Sequence, residues 1–135
     1  MSSKGKILLV DDDPDFLDMH MAVLKNHGYE VFTATSGREG LERVRTDMPD
    51  AIILDLMMEK HDAGFLFSQK IKTDPLFKEI PILMVTSVAE ATGYRFSLHD
   101  DGYWMKTDDF LDKPVKPDVL LERLDTLLKK RRDAR

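Results

Sequence analysis

The sequence predicts an α/β domain built on an open, doubly wound parallel sheet with helices on both faces. The first observation is three apolar runs, Ile7-Leu8-Leu9-Val10, Ala51-Ile52-Ile53-Leu54 and Ile82-Leu83-Met84-Val85, which are continuous rather than alternating. Continuous aliphatic and β-branched runs suit strands buried on both faces, as in a parallel sheet. The second is that stretches with helical spacing fill the gaps, so the βα unit recurs five times. Right-handed crossovers wind such a chain into a three-layer sandwich.

The elements follow in order. After the first run, Asp13-Pro14 reads as an N-cap with proline at the first helical position. The helix behind it carries Phe16, Met19, Val23 and Leu24 on one face, and Gly28 is placed to end it. A weaker strand is expected over Glu30–Ala34. Ser36-Gly37-Arg38-Glu39 then has the spacing of a capping box, with Leu41 and Val44 behind it. A third helix starts near Gly64 and stops before Pro75. A second weaker strand is expected over Asp109–Asp112. The last helix begins near Pro117 and shows Leu120, Leu124, Leu127 and Leu128 at helical spacing.

Composition limits what the chain can be. At 135 residues, 42% of them apolar, it fits one domain with a sizeable core, about 5–130, and leaves no room for an output domain. The absence of cysteine excludes disulfides, thiol catalysis and a cysteine-type zinc site. No run approaches the roughly 20 apolar residues of a membrane span, and the first residues lack a secretory signal, so a soluble, cytoplasmic protein is expected. A net charge of −5 argues against broad nucleic-acid binding. The Lys129-Lys130-Arg131-Arg132 run reads as a solvated helix C-terminus meeting the negative end of its dipole.

Chemistry gathers at the carboxyl ends of the strands. The first strand runs into Asp11-Asp12, the third into Asp55 and the fourth into Thr86, while Lys113 follows the fifth. Open α/β sheets build their sites along that edge. Neighbouring strands lie about 4.8 Å apart, so Asp12 and Asp55 could share one small cation if their strands are adjacent. Three carboxylates and one lysine leave an excess of about two negative charges, which a hard divalent ion would neutralise; oxygen-only ligation favours Mg²⁺.

These residues carry a family resemblance. Leu8-Leu9-Val10-Asp11-Asp12, Ile53-Leu54-Asp55-Leu56-Met57-Met58, Met84-Val85-Thr86-Ser87 and Phe110-Leu111-Asp112-Lys113-Pro114 resemble, in order, the four signatures of response-regulator receiver domains. The resemblance implies a flavodoxin-like (βα)5 sandwich with strand order 2-1-3-4-5. It implies that Asp55 accepts a phosphoryl group from a phosphohistidine on a sensor histidine kinase. Asp12, Asp55 and the Met57 carbonyl would bind Mg²⁺, with Asp11 assisting through water. Lys113 and Thr86 would hold phosphoryl oxygens, Phe110 would be the switching aromatic, and a cis bond would precede Pro114. A downstream protein or a histidine phosphotransfer protein would receive the signal; a homodimer is compatible with the family.

The chain departs from the family pattern at three places. Glu59 stands where proline is usual, and Gly64 comes one residue late, beside His61. Thr86 and Lys113 are 27 positions apart, a longer interval than is common, and it contains Tyr94, Phe96, Tyr103 and Trp104. Met57 and Val88 occupy the two positions that would orient a hydrolytic water, so slow self-dephosphorylation is expected. A rival reading takes Val10-Asp11-Asp12-Asp13 as the Asp-x-Asp of a haloacid-dehalogenase-type phosphatase, with Asp11 as nucleophile and Asp13 as acid/base. That family requires further acidic ligands after its lysine, and only Pro114 and the final helix follow Lys113.

Overall fold

The computed structural model describes residues 4–55, 63–87, 109–113 and 115–134, with the side chains of 63–65, 86, 87, 109, 110, 112 and 132–134 outside that description. The elements are β1 (Lys6–Val10), α1 (Pro14–Asn26), β2 (Glu30–Ala34), α2 (Gly37–Asp47), β3 (Ala51–Asp55), α3 (Ala63–Lys72), β4 (Ile82–Ser87), β5 (Asp109–Lys113) and α4 (Pro117–Ala134). The helix expected between β4 and β5 falls outside the described residues. All strands are parallel, in the order β2-β1-β3-β4-β5. That is the expected flavodoxin-like order, and β5 runs one residue further than predicted, taking in Lys113.

The continuous apolar runs fill both faces of the sheet. Ile7, Leu9, Ile53, Leu83 and Val85 point to one side, where they pack with Leu17 and Leu24 of α1 and Leu120, Leu124, Leu127 and Leu128 of α4. Leu8, Val10, Ile52, Leu54, Ile82 and Met84 point to the other and meet Val44 of α2 and Phe67 and Ile71 of α3. The period of two along each strand thus makes two cores from one uninterrupted apolar string. Gly40 permits the close seating of α2, since a Cβ there would lie 2.8 Å from the Phe67 ring and 3.2 Å from Val10.

Local chemistry sets the helix ends. Asp13 caps α1, accepting from the Asp15 N–H at 3.0 Å, and Pro14 follows it. The helix stops in a Schellman arrangement at Gly28 (φ 93°): Gly28 N–H donates to Lys25 O, and Tyr29 N–H to Leu24 O. Ser36 caps α2 through the Glu39 N–H, but Glu39 returns its carboxylate to the Thr35 N–H rather than to Ser36. The buried face of α1 also differs from expectation. It consists of Phe16, Leu17, His20 and Leu24, while Met19 is 52% exposed and Val23 only half-buried. An apolar residue one helical step from the buried stripe costs little when exposed. Among the described residues no helix is long and apolar enough to cross a membrane.

Candidate phosphoacceptor and metal site

Strand register brings the acidic residues together. β1 lies between β2 and β3, with Val10 opposite Leu54. Asp11 and Asp55, each the next residue, therefore stand side by side where the two strands end. Asp11 is 1% exposed and Asp55 5% exposed. Asp12, one position on, turns to solvent. Each of Asp11, Asp12 and Asp55 offers a carboxylate oxygen, and these atoms lie within 4.8 Å of one another.

Lys113 enters this cluster from β5. Its ammonium donates to Asp11 Oδ2 at 2.9 Å and stands 3.7 Å from Asp55 Oδ2. The other oxygen of Asp11 accepts from the Asp13 N–H at 3.0 Å, which fixes the carboxylate at the mouth of α1. Burial alone would lower the Lys113 pKa. The hydrogen bond to Asp11 and the charges of Asp55, Asp11 and Asp13 outweigh it and hold the ammonium above its ordinary 10.5. Lys113 is the cation these acids share.

The remaining predicted residues are placed unevenly. Thr86 lies in β4 with its backbone opposite Asp112, on the strand between Asp55 and Lys113. Phe110 lies in β5 opposite Met84. The side chains of both lie outside the described residues, as do Met57 and Pro114 altogether, together with His61, Val88 and the aromatic residues of 92–106. One neighbour escapes sequence reasoning: the Phe16 ring lies under the Lys113 ammonium, 4.5 Å from centroid to nitrogen. Its place in the first turn of α1 was the available signal, because a helix starting at the end of β1 must overhang that edge.

The donor set suits a hard divalent cation. All three ligands are carboxylate oxygens, two of them buried, and such a cluster repels itself without a cation to bridge it. Nitrogen- and sulfur-preferring metals find no histidine or cysteine among these ligands. When bound, a divalent ion would supply charge neutralisation for incoming anionic groups.

A parallel sheet of this order, with an acidic cluster and a lysine at its carboxyl edge, defines a class of protein: a doubly wound α/β domain with a polar, cation-ready site at its switch point. Comparison with known proteins gives the family. The profile of the response regulator receiver domain matches residues 7–125, and the chain belongs to that family. Over 127 residues it is 30% identical to Protein PilH of Pseudomonas aeruginosa, covering 92% of this chain and 98% of PilH. It is 34% identical over 125 residues to the DNA-binding dual master transcriptional regulator RpaA of Synechocystis, covering 93% of this chain but 49% of RpaA. The chain thus spans about half the length of several curated relatives it matches. Among solved structures it superposes on the chemotaxis response regulator CheY4 of Vibrio cholerae with a TM-score of 0.78 and 31% identity, covering 94% and 99% of the two chains.

Receiver domains are signalling modules of two-component systems rather than enzymes in the usual sense. The rival phosphatase reading falls with this membership, and Asp13 is accounted for as the cap of α1.

Proposed function

We propose that Asp55 is the phosphoacceptor of a two-component or phosphorelay system, receiving its phosphoryl group from a histidine kinase. The observation that carries the reading is the convergence of Asp11, Asp12 and Asp55 within 4.8 Å, with Lys113 between Asp11 and Asp55. An Asp55 carboxylate oxygen attacks phosphorus, the bond from phosphorus to the imidazole nitrogen breaks, and that nitrogen keeps the electron pair. Phosphoryl transfer asks chiefly for positioning and charge neutralisation. Asp12 and Asp55, with the Met57 carbonyl and Asp11 through water, would hold Mg²⁺, which would neutralise charge on the phosphoryl oxygens.

Lys113 supplies the protein's own positive charge. It is free to exchange its bond with Asp11 for one with a phosphoryl oxygen, because Asp11 retains the Asp13 N–H. Thr86 would take a second phosphoryl oxygen, and Phe110 would respond to its movement. The new charge at the strand ends would thereby bias the segment between β4 and β5, and a partner protein or a histidine phosphotransfer protein would read that change. The reading keeps the protein in the cytoplasm.

Intact-mass analysis after incubation with acetyl phosphate and Mg²⁺ tests the proposal. Wild type gains one phosphoryl group and Asp55→Asn gains none. Incorporation surviving in Asp55→Asn would overturn the assignment. Retention of the phosphoryl group for much longer than seconds would support the slow hydrolysis expected from Met57 and Val88.

A further inference from the structure

We infer that Phe16, backed by His20, is a positioning residue for Lys113; this rests on the phosphoacceptor reading of Asp55 and adds a residue to it. Among the described residues the Lys113 ammonium has neighbours of two kinds: the carboxylates of Asp11 at 2.9 Å and Asp55 at 3.7 Å, and the face of the Phe16 ring at 4.5 Å. The two carboxylates attract through point charges and the ring through its quadrupole. Phe16 is buried, so its face also keeps water from that side of the ammonium.

The ring has a particular value when the lysine changes partner. A bond to Asp11 is directional and must break before the ammonium can serve a phosphoryl oxygen. Attraction to an aromatic face is broad, and it persists while the nitrogen slides across the ring. Phe16 therefore keeps Lys113 over the strand ends during the exchange. An aliphatic side chain of similar bulk would fill the space without attracting the charge.

His20 holds the ring in place. The two ring centroids are 4.1 Å apart with planes inclined by 31°. His20 Nδ1 lies 2.9 Å from Phe16 O; a carbonyl only accepts, so Nδ1 carries the proton. His20 is 1% exposed, and its Nε2 is buried with no hydrogen-bond partner among the described residues. A buried polar atom in that condition costs stability that leucine would not. Its contacts tie the imidazole to Phe16 through both ring and backbone.

The test combines the shift of the Lys113 ε-methylene protons with the rate of phosphorylation by acetyl phosphate at saturating Mg²⁺. Both are measured on wild type, Phe16→Leu and Phe16→Tyr, with Phe16→Met as a second aliphatic variant should leucine pack poorly. Ring current displaces the ε-methylene signal upfield in wild type and Phe16→Tyr, and the displacement vanishes in the aliphatic variants. The maximal rate falls about threefold to tenfold in the aliphatic variants and recovers in Phe16→Tyr. An undisplaced wild-type signal overturns the inference. So does an aliphatic variant that loses the displacement yet phosphorylates at the wild-type rate, or a folded Phe16→Tyr that stays slow. A wild-type chain that takes no phosphoryl group sinks the proposed function and this inference together, whereas normal wild-type incorporation beside an unaffected Phe16→Leu sinks this inference alone.

Discussion

The two ends of the sheet handle acidic residues in opposite ways. At the amino end, Asp50 precedes β3, and its carboxylate accepts from the Lys6 N–H at 2.8 Å while Arg131 of α4 stands 3.9 Å away. Its backbone is equally engaged: its N–H donates to Lys6 O at 2.7 Å, and its carbonyl accepts from Arg131 at 2.7 Å. At the carboxyl end, Asp11, Asp12 and Asp55 crowd together, and among the described residues the Lys113 ammonium stands against Asp11 and Asp55; these four groups sum to two negative charges. A balanced carboxylate serves as a staple between strand and helix. A cluster with an excess of like charge stores repulsion that a cation can relieve, which is why the proposed function is placed at that end.

The largest expected effect breaks the balance further. Lys113→Met leaves Asp11 buried without its cation and should lower metal-free stability by about 2–3 kcal/mol, with Mg²⁺ recovering much of the loss. Urea unfolding with EDTA and with Mg²⁺ checks both parts; equal losses under the two conditions would contradict the charge argument. Asp50→Ala, at the other end, should cost about 1–2 kcal/mol by stranding the Lys6 N–H and removing the carboxylate that faces Arg131. Because that end is already balanced, Mg²⁺ should leave its deficit unchanged.

Asp55→Asn should act in the opposite direction. Among the described residues it removes repulsion from Asp11 and Asp12 together with the attraction to Lys113 at 3.7 Å. Repulsion wins, so metal-free stability should rise by about 1 kcal/mol, read from the shift in urea midpoint. A fall would mean that the attraction to Lys113 dominates.

The smallest effect is in pH. The folded protein holds the Lys113 pKa above 10.5 because Asp11, Asp55 and Asp13 outweigh burial, so the contribution is complete below the unfolded value and is lost as pH rises through the folded one. Metal-free wild type should therefore lose stability above about pH 10.5 more steeply than Lys113→Met.

The carboxyl end of the sheet was largely legible in the sequence. Continuous apolar runs announced buried parallel strands, and a polar residue at each run's end marked the edge where Asp11, Asp12 and Asp55 come together. Residue types alone did not give the strand order; family resemblance supplied it, and the register of Val10 with Leu54 agrees. Side-chain placement was the harder part. Helical periodicity put Met19 and Val23 beside Phe16, yet the buried stripe turns instead through Leu17 and His20. Hydropathy scores His20 as polar and so hides a buried imidazole, and it scores Phe16 as mere core and so hides a ring beneath Lys113. The balanced role of Asp50 was equally hidden, since its partners lie 44 and 81 residues away.

Calorimetric titration of Mg²⁺ into wild type, Asp12→Asn, Asp55→Asn and Asp50→Ala tests the contrast between the two ends most directly. Wild type and Asp50→Ala should bind one ion with equal affinity, while Asp12→Asn and Asp55→Asn should bind at least about tenfold more weakly. Equal affinity in all four proteins would contradict the account.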